Sequence, residues 1–211
     1  TIIPGTLLYL NGQVLQYIFM VLVTTGLGFG LTYAFGYKDA EEEVTEAKEV
    51  VEANEAAAPV LSDETIVSPI VGQMVDLKDV NDPVFSSGAM GQGVAVKPSE
   101  GVVYAPADAE VTIAFATGHA YGLKTANGAE ILIHVGIDTV SMNGDGFDQK
   151  VIQGDKVKAG DVLGTFDAAK IAAADLDDTT MVIITNTADY ASVTPVAEGT
   201  VAKGDAVIEL K

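Results

Sequence analysis

Between Glu130 and Ile137 the chain alternates without a break. Ile131, Ile133, Val135 and Ile137 share one parity, and Leu132, His134 and Gly136 share the other. Side chains of a strand project to opposite faces with period two, so this stretch predicts a strand with one apolar face and one face carrying a histidine. Asn127-Gly128 just upstream is a tight-turn signal, because both central residues of a type I′ turn take positive φ. Thr117–Asp138 is therefore expected to be a hairpin. With Ala126 paired to Ala129, Tyr121 falls opposite His134 and His119 opposite Gly136. The two histidines then become diagonal neighbours on one face, with Cα atoms about 7–8 Å apart. A three-residue loop would shift the register by one and separate them. Gly136, lacking a side chain, is expected to leave room beside the His119 ring.

The surrounding sequence is of the same kind. Glu110–Phe115, Glu130–Ile137, Met181–Thr185 and Ala206–Leu210 are rich in Val, Ile and Thr, and Gly, Asp, Asn and Pro separate such runs. This predicts an all-β domain over 63–211, an antiparallel β-sandwich or flattened barrel. Asp167–Leu176 is its one clear helical candidate. Two other regions precede it. Val14–Tyr37 carries no formal charge and is long enough for a membrane-crossing helix, which takes about 20 residues. Tyr33, Tyr37 and Lys38 suit an interfacial exit on the cytoplasmic side. Residues 14–37 are thus expected to form a membrane-crossing helix. Residues 38–62, dominated by Ala, Glu and Lys, are expected to form an acidic linker.

Composition narrows the chemistry. The net charge is −19, and none of the 11 basic residues is arginine, which excludes nucleic acid as a natural partner and favours a basic protein. Cysteine is absent, which excludes disulfides, thiolate catalysis and cysteine-based zinc sites. Histidine chemistry rests on the only two histidines, His119 and His134. A neutral imidazole is a nucleophile near pH 7 and can accept a phosphoryl group with no metal or organic cofactor. A second imidazole can donate a hydrogen bond to phosphate oxygens, and the hydroxyl of Thr117 can orient a ring nitrogen. Two other readings stay open on these residues. One is a pair of structural histidines satisfied by backbone groups. The other is a zinc site completed by an acidic residue, although no H-x-H or H-E-x-x-H spacing is present.

Several motifs carry a resemblance. Ser68-Pro69-Ile70-Val71-Gly72, Asp82-Pro83-Val84-Phe85, Met90–Pro98, Thr117-Gly118-His119-Ala120-Tyr121, Glu130–Val140, Asn143–Phe147 and Lys158–Asp161 follow one another in an order and spacing similar to the glucose-type enzyme IIA domain of the bacterial sugar phosphotransferase system. The resemblance covers Ser68–Lys211 and implies a cytoplasmic β-sandwich that relays phosphate. His134 would take it from the histidine phosphocarrier protein and pass it to a cysteine of enzyme IIB, driving sugar uptake and phosphorylation. His119 would be the second active-site histidine, with Thr117 in the site. Gly118 stands where Lys or Asn often precedes that histidine. Gly28–Asp39 resembles the end of the membrane enzyme IIC domain in the β-glucoside, sucrose and trehalose group. That implies the C-terminal part of a fused permease in the inner membrane, with residues 1–37 ending its membrane domain. Val84, Phe85, Met90, Phe115 and Tyr121 are candidates for an apolar docking rim, and Asp82 and Asp138 match flanking acidic positions. A regulatory module signalling through the phosphorylation state of His134 is the alternative function.

Overall fold

A computed structural model describes residues 61–211. The expected membrane helix over 14–37 and nearly all of the expected linker over 38–62 lie outside the described residues. The first strands are β1 (Glu64–Val67), β2 (Gly72–Val75), β3 (Gln92–Pro98), β4 (Val102–Tyr104), β5 (Ala109–Ala114), β6 (Ala120–Thr125) and β7 (Glu130–Val135). They are followed by β8 (Phe147–Gln149), β9 (Lys156–Val157), β10 (Val162–Phe166), β11 (Thr180–Ile184), β12 (Val193–Pro195), β13 (Thr200–Val201) and β14 (Ala206–Leu210). Two short α-helices occur among the described residues, α1 (Pro83–Ser86) and α2 (Ala168–Ala173). Each begins on an aspartate, Asp82 or Asp167, whose carboxylate accepts from backbone N–H groups of the first turn.

The strands form one eight-stranded sheet, ordered β13-β2-β3-β11-β7-β6-β5-β9, and two three-stranded sheets, β1-β14-β12 and β4-β10-β8. Every described pairing is antiparallel. The expectation of a mostly-β antiparallel domain therefore holds. The helical segment is shorter than expected, ending at Ala173 rather than Leu176.

Alternation sorts the large sheet into two apolar faces. Val94, Val96, Tyr121, Leu123, Ile131, Ile133, Val135, Val182 and Ile184 join the main core. Burying each such aliphatic side chain contributes about 1.5–3 kcal/mol. Ala95, Met181 and Ile183 point the other way and meet Val80 and Phe85 in a second, smaller cluster, with Leu132 packed against it. His134 has the parity of Leu132 and stands at the margin of this second cluster.

The predicted hairpin register is corrected by one residue. Thr125, not Ala126, faces Ala129: the Thr125 N–H donates to the Ala129 carbonyl at 3.0 Å, and Thr125 Oγ1 accepts from the Ala129 N–H at 3.0 Å. The loop has three residues, with Gly128 alone at positive φ (95°) and Asn127 not. An Asn-Gly pair serves this bulged turn as well as a type I′ turn, which is why the sequence did not decide between them. Ala120 consequently pairs with His134, and Tyr121 with Ile133. Tyr121 turns into the core at 1 % exposure and is no part of a docking rim. Its hydroxyl would lie only 2.1 Å from a Cβ added at Gly164, so that glycine makes room for it.

Candidate active site at two adjoining histidines

The register shift predicts separated histidines, yet their ring centroids lie 5.1 Å apart at an interplanar angle of 81°. The resolution lies in the β5–β6 connection. Ala114 pairs with Tyr121, and the Phe115 N–H donates to the Ala120 carbonyl at 3.2 Å, so Ala116–His119 form a hairpin loop. His119 closes that loop and is not bound by strand alternation. Its own carbonyl still accepts from the Val135 N–H at 2.8 Å, which ties the loop to the end of β7. Gly118 precedes it at φ 69°, a left-handed conformation that costs other residues about 1–2 kcal/mol.

His134 lies on β7 between Ala120 of β6 and Met181 of β11, and it is half-buried. Its Nδ1 lies 2.8 Å from the Gly136 carbonyl oxygen. A carbonyl only accepts, so Nδ1 carries the proton, and in the neutral ring Nε2 keeps a free lone pair. Gly136 does not serve as expected, by leaving space for His119. A Cβ there would stand 2.4 Å from Thr139 Cγ2 and 2.7 Å from the Asp177 carbonyl oxygen. Thr139 was not anticipated from sequence; it is fully buried, and its hydroxyl donates to the Val135 carbonyl at 2.5 Å. Thr117 Oγ1 lies 2.6 Å from His119 Nδ1.

Electrostatics keep both rings neutral near pH 7. Burial, and secondarily the proximity of His134, lower His119 to about 4. Burial also lowers His134, opposed by the Gly136 carbonyl and by the negative charges of Asp82 and Asp138. No cluster of three metal-ligating side chains occurs among the described residues, so the zinc reading finds no third ligand there.

The other candidates divide. Phe85 and Phe115 flank the pair, with ring centroids 5.1 Å from His134 and 5.2 Å from His119 respectively. Phe85 is nearly buried at 7 %, whereas Val84, Met90 and Phe115 are 40–49 % exposed. Asp82 spends one carboxylate oxygen on the Val84 and Phe85 N–H groups, at 2.7 and 3.2 Å. Asp138 adopts a left-handed backbone at φ 58° and is exposed.

The family model for the phosphoenolpyruvate-dependent sugar phosphotransferase system, EIIA 1, matches residues 64–190. The chain is 44 % identical over 172 residues to a β-glucoside-specific EIIBCA component from Dickeya chrysanthemi, covering 81 % of this chain but 27 % of that relative's length. It is 46 % identical over 143 residues to a glucose-specific EIIA component from Bacillus anthracis, covering 68 % of this chain and 87 % of the relative. Among solved structures, glucose permease IIA from Mycoplasma capricolum superposes with a TM-score of 0.67 at 36 % identity, covering 71 % of this chain and 97 % of that one. Residues 64–190 thus place the chain in the EIIA 1 family of the sugar phosphotransferase system.

Proposed function

We propose that His134 Nε2 accepts the phosphoryl group and that His119 governs its onward transfer. The observation that carries this reading is the hydrogen bond from His134 Nδ1 to the Gly136 carbonyl, which leaves Nε2 unprotonated. The Nε2 lone pair attacks phosphorus on the donor phosphohistidine. The donor P–N bond breaks, and its electron pair stays on the donor nitrogen. The positive charge gained by the His134 ring strengthens the bond from Nδ1 to Gly136. With Thr117 donating its hydroxyl proton to His119 Nδ1, His119 Nε2 carries a proton and can donate it to a phosphate oxygen. Phosphoryl transfer depends mainly on such positioning and charge stabilisation. No cofactor is invoked.

The donor is the histidine phosphocarrier protein and the acceptor a cysteine of enzyme IIB, so that the relay drives sugar uptake and phosphorylation. Asp82 and Asp138 offer charge to a basic partner, and Val84, Phe85, Met90 and Phe115 offer apolar contact. The absence of cysteine from this chain requires the acceptor to lie outside it. Residues 1–37 are read as the end of a membrane enzyme IIC domain, and 38–62 as its tether to a cytoplasmic domain at 63–211. The likeness to the EIIBCA component from Dickeya chrysanthemi supports that arrangement.

Incubation with phosphoenolpyruvate, enzyme I and the phosphocarrier tests the assignment. His134→Gln should abolish labelling. His119→Gln should still accept phosphate but pass it on poorly. Labelling that survives His134→Gln would falsify the assignment.

A further inference from the structure

We propose that Lys97, clasping Asp177 and Asp178, is a positioning residue that holds the Gly136–Ile137 peptide in the orientation fixing the His134 tautomer. This rests on the reading of His134 as acceptor. The Gly136 carbonyl and the Ile137 N–H belong to one planar peptide unit and point in opposite directions. The carbonyl accepts from His134 Nδ1 at 2.8 Å, and the N–H donates to the Asp177 carbonyl at 2.8 Å. Turning this plane breaks both bonds together. The His134 tautomer therefore depends on where the Asp177 backbone stands.

Asp177 lies in the loop between α2 and β11, outside regular structure. Three donors converge on its Oδ1: the Thr179 N–H at 2.8 Å, Thr179 Oγ1 at 2.6 Å and Lys97 Nζ at 2.8 Å. Lys97 Nζ also stands 2.6 Å from Asp178 Oδ1. Lys97 is on β3, whose Val96 pairs with Thr180 at the start of β11. The lysine thus binds the loop to the neighbouring strand just where β11 begins. Partial burial pushes the Asp177 carboxyl up, but bonds from Lys97 and Thr179 outweigh it and hold the group at about 2. The contact is charged at neutral pH. Lys97 touches neither imidazole; it acts through Asp177.

Lys97 is half-exposed, so the effect is modest: about two- to fivefold, the worth of one well-placed exposed ion pair. Uniformly ¹⁵N-labelled chain at pH 7.5 reports the tautomer of each histidine through ring nitrogen shifts, with no phosphoryl donor present. In the wild type the His134 Nδ1–H form should predominate. Lys97→Met should raise the minor Nε2–H fraction by about two- to fivefold and lower the labelling rate only in proportion to the Nδ1–H form so lost, at unchanged KM for the phosphocarrier. The His119 spectrum should not move, and Lys97→Arg should restore both readouts. A wild-type tautomer ratio in Lys97→Met, in protein with an ordinary thermal transition, overturns the positioning role alone. A wild-type chain already in the Nε2–H form overturns the acceptor reading beneath it.

Discussion

His134 stands on a strand paired along both edges, with Ala120 on one side and Met181 on the other, whereas His119 closes a four-residue loop held at one end of the sheet. Each ring nitrogen Nδ1 is engaged, but by different means. The strand histidine meets a backbone carbonyl in the turn that follows it, and the loop histidine meets a side-chain hydroxyl two residues before it. A neighbouring carbonyl can only accept, so it fixes which nitrogen of His134 is free. A hydroxyl donates or accepts, so Thr117 leaves His119 able to exchange roles during transfer. The proposed acceptor is rigidly defined, and the proposed helper is adjustable.

The largest test of that contrast breaks the rigid side. Gly136→Ala would force a methyl into 2.4 Å of Thr139 Cγ2 and 2.7 Å of the Asp177 carbonyl, at a φ of 76°. Left-handed strain and overpacking together should cost about 2–4 kcal/mol, read as a lower midpoint in urea. Labelling of His134 should fall more than tenfold, because the carbonyl can no longer meet Nδ1. Labelling within twofold of wild type would show that the turn does not define the acceptor.

Titration compares the two sites in one experiment. His119 is held at about 4, against an ordinary value of 6.5. Between these values the unfolded chain binds the proton and the folded chain does not. Stability therefore falls as pH drops from about 6.5 to 4, and this contribution is absent above 6.5. His119→Gln should flatten that part of the stability curve, recovering on the order of 2 kcal/mol at pH 4 relative to its effect at pH 8. His134→Gln should flatten it as well, since burial lowers that ring too. Equal slopes in wild type and both variants would refute the role of burial at the pair.

On the loop side the expected effects are smaller. Gly118 sits at φ 69°, and a Cβ there would meet Phe147 Cβ at 3.0 Å. Gly118→Ala should cost about 1–2 kcal/mol, whereas Gly118→Asn should cost less, because Asn tolerates the left-handed region. Both should slow onward transfer more than initial labelling. A loss confined to initial labelling would reverse the roles assigned to strand and loop.

The same division governs what could be read from sequence. Ile131, Ile133 and Val135 against Leu132 and His134 disclosed β7 and the face bearing His134, because a strand has no other way to place alternating side chains. The hairpin register was not legible: Asn127-Gly128 suits two loop lengths, and the Thr125 hydroxyl, which accepts from Ala129 and donates to Glu64, belongs to tertiary structure. That single step moved Tyr121 from the expected rim to the core. The nearness of the histidines was expected for the wrong reason, since His119 arrives by a loop and not by diagonal pairing. Thr139 and Asp177 stayed hidden because they act on the backbone around Gly136 from elsewhere: Thr139 bonds the Val135 carbonyl from the turn after β7, and Asp177 bonds the Ile137 N–H from the loop before β11.

The smallest effect is the most informative about the adjustable side. Thr117→Val keeps the shape of the residue and removes the hydroxyl 2.6 Å from His119 Nδ1. One such bond is worth about 0.5–1.5 kcal/mol, so onward transfer should slow by about two- to tenfold. Thr117→Ser keeps a hydroxyl and should recover most of the rate. Initial labelling of His134 should stay within twofold in both, because Thr117 bonds the other ring. If Thr117→Val slows labelling and onward transfer equally, the hydroxyl serves the whole pair. The separation between a fixed acceptor and an adjustable helper then fails at its weakest joint.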